Sequence, residues 1–188
     1  MTARLKGEAA YSLVEMITVM AIMSVVLGGL TQVFTSASKA DTDMQNRFNA
    51  QVNTRLALDK LRVDVHCASD VTPNSPSSWT SQRSSVTLTI TACAGGDVTW
   101  CTVQQTGSTT RWDLYRRASS STCTSASPAV RVGKSLTSAT PFTSFAHVSG
   151  CGCLASLGVS LAVGANRNST TGIYRLQDTI FLRNSTRL

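Results

Sequence analysis

Four groups of side chains in this sequence carry types and spacings that could do chemistry. The first is sulfur. Six cysteines, Cys67, Cys93, Cys101, Cys123, Cys151 and Cys153, all lie beyond residue 66. An even number confined to one part of a short chain is the pattern of a disulfide framework in an oxidising compartment. Six cysteines allow fifteen complete pairings, and spacing does not choose among them. Zinc is the rival, with His66-Cys67 and His147…Cys151-Gly152-Cys153 as nitrogen and sulfur donors. No CxxC pair exists, so no metal site is expected. The second group is basic. Arg111, Arg116, Arg117, Arg131 and Lys134 are the densest cations in a region, 70–188, that has ten Lys+Arg against four Asp and no Glu. Such a patch is either a solvated face or a phosphate-binding surface for DNA, with Trp79, Trp100, Trp112 and Tyr115 available to stack bases or to fill a core. The third is the pair of histidines among many serines. No GxSxG, P-loop or GxGxxG context accompanies them, so neither enzymatic activity nor a cofactor is expected. The fourth is one carboxylate, Glu15, set inside an apolar run.

That run must be positioned by a helix. From Leu13 to Phe34 the sequence is almost wholly apolar, about the 20 residues that span a bilayer. Arg4 and Lys6 precede it and would keep the N-terminus cytoplasmic, leaving the cysteine-rich remainder outside. Glu15 near the start of such a helix costs roughly 2.5–3.5 kcal/mol at the bilayer centre and less at the interface. It needs either wet headgroups or a cationic partner.

From Thr35 to Ser69 there is neither Pro nor Gly. Phe34, Ala37, Met44, Phe48, Val52, Leu56, Leu58, Leu61 and Val65 recur mostly at three or four, which predicts that the helix continues, with one apolar stripe to pack on a sheet. Thr72 to Ser78, with two prolines, reads as the break. Strands are then predicted at 86–91, 98–103, 112–116, 157–163 and 174–182, with a loop at 119–127, where seven of nine residues are Ser or Thr. The fold class is therefore α+β: a long N-terminal helix, its first half membrane-spanning, packed through its outer half on a small, mostly antiparallel sheet.

Ala10-Tyr11-Ser12-Leu13-Val14-Glu15-Met16-Ile17, behind the basic leader, resembles the class III signal of type IV pilins and type II secretion pseudopilins. The resemblance implies a leader at 1–10 removed by a prepilin peptidase between Ala10 and Tyr11. It implies N-methylation of Tyr11 and a role for Glu15, fifth after the cut, in assembly. It divides the chain into 11–34 for the membrane and filament core, 35–69 for the amphipathic half of the helix, and 70–188 for a β-rich head. Ala10 and Tyr11 depart from the Gly and Phe commonest in the family. The helix end, 56–65, and the closing 180–185 are similar to J-type minor pseudopilins and W-type minor pilins. The resemblance further implies a single-pass protein of the cytoplasmic or inner membrane, head outside, that joins other pilin or pseudopilin subunits in an extracytoplasmic filament. Two alternatives remain open: a pilus-tip subunit that captures DNA, and a secreted soluble protein cut after Ser38-Lys39-Ala40.

Overall fold

The computed structural model describes residues 12–73, 79, 81–91, 93, 95–118, 129–147, 153–165 and 172–185. The expected α+β, pilin-like architecture is present: one long N-terminal helix, then a curled antiparallel sheet. Helix α1 runs from Leu13 to Cys67. Its first turn is set by the Ser12 carbonyl, which accepts the Glu15 N–H at 3.0 Å and the Met16 N–H at 3.2 Å. No proline interrupts it. Ser38, Lys39 and Ala40 lie in its interior. The chain divides into two compact units after Met44.

In the unit that begins at Gln45, α1 buries Ala50, Thr54, Ala57, Leu58, Leu61, Asp64 and Val65. This corrects the expected stripe. Phe48 and Leu56 are 64% and 60% exposed, while Leu58, Leu61 and Val65 are buried. With 3.6 residues per turn, Phe48, Val52 and Leu56 follow one side of the helix, and Ala50, Ala57 and Leu61 follow the side about half a turn away. The sequence holds two apolar stripes, and the sheet takes the one with small residues.

The helix ends at Cys67 because Ala68 is already in a strand. Strand β1 is Ala68–Thr72, β2 Ser85–Ile90, β3 Val98–Gln104, β4 Trp112–Ala118, β5 Val130–Leu136, β6 Phe142–Ala146, β7 Ser156–Gly164 and β8 Ile173–Phe181. Their order is β1-β2-β3-β4-β5-β7-β6, with β8 added to β7. Every pairing is antiparallel. An isolated bridge from Arg83 to Phe142 brings β6 back towards the start of β2, which curls the sheet. The sheet is thus larger than expected, since β1, β5 and β6 have no clear period-two pattern. The expected loop at 119–127 lies outside the described residues.

The core of this unit joins Leu58, Leu61 and Val65 of α1 to Trp100, Leu114, Leu136, Phe142, Leu157 and Leu161 of the sheet. The approach is closest at Gly133. A Cβ there would lie 3.2 Å from Leu114 Cβ, 3.4 Å from Leu136 Cδ1 and 3.7 Å from Ala57 Cβ. Ala57 on the helix and Gly133 on β5 are small because backbone packs against backbone at this point.

Candidate functional site

The N-terminal unit offers the clearest functional geometry. Fourteen large apolar side chains between Leu13 and Phe34 are each at least 52% exposed. None of this apolar stretch is buried, and α1 is long and apolar enough to cross a membrane. Burying one such side chain fully is worth about 1.5–3 kcal/mol, so covering this surface is worth on the order of 20 kcal/mol. That exceeds the net stability of a typical domain, roughly 5–15 kcal/mol. This surface calls for lipid or other apolar helices.

The polar groups in the segment are arranged for such surroundings. Thr18 Oγ1 donates to the Glu15 carbonyl at 2.9 Å and Ser24 Oγ to the Ala21 carbonyl at 2.8 Å. Thr31 Oγ1 donates to the Leu27 carbonyl at 2.7 Å. Each hydroxyl is satisfied inside its own helix, which removes most of its cost in hydrocarbon. Glu15 is then the one ionisable residue from Leu13 to Thr31. It sits in the first helical turn, where the positive end of the helix dipole favours a carboxylate by about 0.3–1 kcal/mol. Glu15 is exposed. The hydroxyl pattern at 18, 24 and 31 was not picked out by sequence reasoning; its signal was the presence of Ser and Thr inside an otherwise apolar helical run, where their hydroxyls bond the carbonyl one turn back. Ala10 and Tyr11, the expected cleavage and methylation positions, lie outside the described residues.

The cysteines act at the other end of α1. Cys67, the last helical residue, is joined to Cys93 with Cα atoms 5.6 Å apart. Cys101 and Cys153 are disulfide-bonded as well, and there is no free cysteine among the described residues. Cys123 and Cys151 lie outside them. Among the described residues no cluster of His, Cys, Asp and Glu has the makings of a metal site. His66 Nδ1 is 3.0 Å from the Phe181 carbonyl, and His147 lies beside the Phe145 ring at 6.4 Å, so the two histidines stand in separate places.

The five basic residues do not form one exposed face. Arg111 and Arg117 are only 3% and 4% exposed. Arg116 is turned onto the helix: its Nε and Nη2 donate to Asp64 at 2.7 and 3.1 Å. Hydrogen bonding to Asp64, opposed by desolvation and helped by charge attraction, raises the Arg116 pKa above the ordinary arginine value. Arg131 Nη1 donates to Asp113 at 3.2 Å, and Lys134 is exposed. The dense run in sequence is dispersed because alternate residues of β4 point to opposite faces of the sheet. The three tryptophans are likewise committed. Trp100 is fully buried with its Nε1 donating to Asp64 at 2.9 Å. Trp79 Nε1 donates to the Pro73 carbonyl at 2.7 Å, and both Trp79 and Trp112 pack against the core. Arg62 donates to Asp178 at 2.8 Å and to Asp59 at 3.0 Å, and the Asp178 bond leads in raising its pKa.

Residues 5–31 match the family model of the prokaryotic N-terminal methylation motif. No curated protein and no solved structure matches the chain.

Proposed function

We propose that this chain is the precursor of a minor pilin or pseudopilin. A prepilin peptidase cuts it between Ala10 and Tyr11, the new Tyr11 amine is methylated, and α1 carries the mature subunit from the membrane into a type IV pilus or type II secretion-type filament. One observation carries the reading: a methylation motif at 5–31 coincides with an apolar helical surface that nothing among the described residues covers. The match supports a pilin-like precursor and its processing. The minor role, closest to J-type pseudopilins or W-type minor pilins, rests on the sequence resemblance at 56–65 and 180–185.

The proposed mechanism is electrostatic and mechanical and needs no catalytic residue. A methylated α-amine stays cationic, so the Tyr11 amine of an incoming subunit pairs with Glu15 of its neighbour. In an apolar setting that pair matters far more than on a surface, and an unpaired Glu15 is penalised, which favours entry in register. Head-to-tail contacts of this kind do not close and so extend a filament. The cysteine-rich region then stands outside the cytoplasm, where its disulfides persist. The test is recovery of the chain, cut and methylated, in filaments sheared from cells that express it with a pilus or secretion assembly system. Absence from every sheared fraction, with the chain present in the membrane, contradicts the reading.

A further inference from the structure

An open cleft of about 600 Å³ is lined by residues of β3, β4 and β5 and the β3–β4 turn, none of which enters the assembly argument. Its floor is Asp113, whose side chain is only 7% exposed. Three donors from two segments converge on that carboxylate. Gln105 Nε2 donates to it from the β3–β4 turn, Ser135 N–H at 3.2 Å from β5, and Arg131 Nη1 at 3.2 Å from the same strand. Ser135 has φ +58°, the one positive φ at a non-glycine residue among the described residues. Such backbone is strained and persists where surrounding contacts hold it, most often at binding sites.

The chemistry of the cleft selects a ligand class. Arg131 and Asp113 neutralise each other, and the remaining polar lining, Gln104, Gln105, Thr106, Tyr115 and Ser135, is uncharged. Neither an anion nor a cation finds an unbalanced charge here. Val103 and the Tyr115 ring are the main apolar surface, too little for an apolar ligand. What the cleft does present is planar hydrogen-bonding groups. With Nε2 bonded to Asp113, Gln105 offers Oε1 as an acceptor, and the half-exposed Arg131 keeps further N–H donors beyond the one Asp113 uses. Neighbouring sugar hydroxyls, each both donor and acceptor, match such groups, and a tyrosine ring suits the C–H face of a pyranose. The volume falls in the range of small-molecule sites, roughly 300–1,000 Å³. We infer that this cleft binds a neutral carbohydrate of one or two sugar units.

The inference stands apart from filament assembly and is tested on the unassembled full chain. The protein is held in zwitterionic detergent, because sugar-headed detergents would compete. Maltose, lactose, cellobiose and N,N′-diacetylchitobiose are titrated by saturation-transfer NMR, with glucuronate and inorganic phosphate as charged comparators. At least one disaccharide is expected to bind with a Kd of about 1 mM or tighter. Gln104→Ala and Thr106→Ala, both at exposed positions that leave the fold intact, weaken it roughly tenfold, the value of about one hydrogen bond. Lys134→Ala, outside the cleft, leaves it unchanged. No binding of any disaccharide at about 10 mM overturns the inference. So does binding that Gln104→Ala and Thr106→Ala leave intact, or tighter binding of phosphate or glucuronate than of every neutral sugar.

Discussion

Asp64 on α1 and Arg116 on β4 meet in a two-pronged ion pair, with Nε at 2.7 Å and Nη2 at 3.1 Å from the carboxylate oxygens. Trp100 adds a third donor from β3. The Asp64 side chain is 10% exposed and that of Arg116 27%, so water screens the pair only in part. Three elements of the compact unit are thereby registered at one carboxylate.

Asp64→Ala is therefore expected to destabilise this unit by about 3 kcal/mol, since it strands a partly buried guanidinium and the indole N–H. Urea unfolding of the full chain in micelles, followed by tryptophan fluorescence, measures it. The pairing raises the Arg116 pKa, so its contribution is complete below the arginine range and is lost only as pH rises through the raised value. The difference between wild type and variant should accordingly be the same at neutral and mildly alkaline pH. A difference that shrinks between those conditions would contradict the assignment to Arg116.

Gly133→Val tests the close approach of helix and sheet. Its first added carbon already falls 3.2 Å from Leu114 Cβ, with Leu136 Cδ1 at 3.4 Å and Ala57 Cβ at 3.7 Å, so little room is left for two further methyl groups. A loss of roughly 1–3 kcal/mol is expected from overpacking. Gly107→Ala serves as a contrast: no atom lies within 4 Å of its Cβ position, and any loss there comes from its φ of +77° alone.

The helix and five of the eight strands were legible because their periodicity is strong: Val86, Leu88 and Ile90 alternate cleanly, as do Leu157, Val159 and Leu161. The other strands were not. β5 contains Gly133 and Lys134, and the glycine that weakens its strand signal is the residue that lets Ala57 approach. β1 follows the last helical residue without a break, so no turn announces it. Glu15 was legible as an anomaly of charge in an apolar run. The split of the basic cluster was not, because Asp64 and Asp113, the acids that claim Arg116 and Arg131, lie 52 and 18 residues away from them. The second apolar stripe of α1 was hidden for a related reason. Spacing marks a face but does not say whether Phe48 or Leu58 meets the sheet.

Cys67 and Cys93 close a loop with a sequence separation of 26. Loop entropy assigns this bridge about 3.5 kcal/mol. Replacing both with serine should lower stability by that order and leave binding of the chain to membranes unchanged. Thermal unfolding with a membrane-flotation assay reads both. Loss of membrane association in the variant would show that the two units are not separable in this way.

Glu15→Ala leaves the disulfide-bearing unit folded, since Glu15 is exposed and belongs to the other compact unit. Incorporation into filaments is expected to fall about 100-fold, the equivalent of an uncompensated charge of roughly 2.5–3.5 kcal/mol within the membrane. Quantitative immunoblotting of sheared filaments against total membranes checks this. Wild-type incorporation of the variant would remove Glu15 from the assembly mechanism.

The most direct test of the central claim is mass spectrometry of the N-terminal peptide of the chain, purified from membranes of cells that contain a prepilin peptidase. The account predicts a polypeptide that begins at Tyr11 and carries one methyl group on its α-amine. A chain that still begins with Met1 in those cells, or one that begins beyond Ala40, contradicts it.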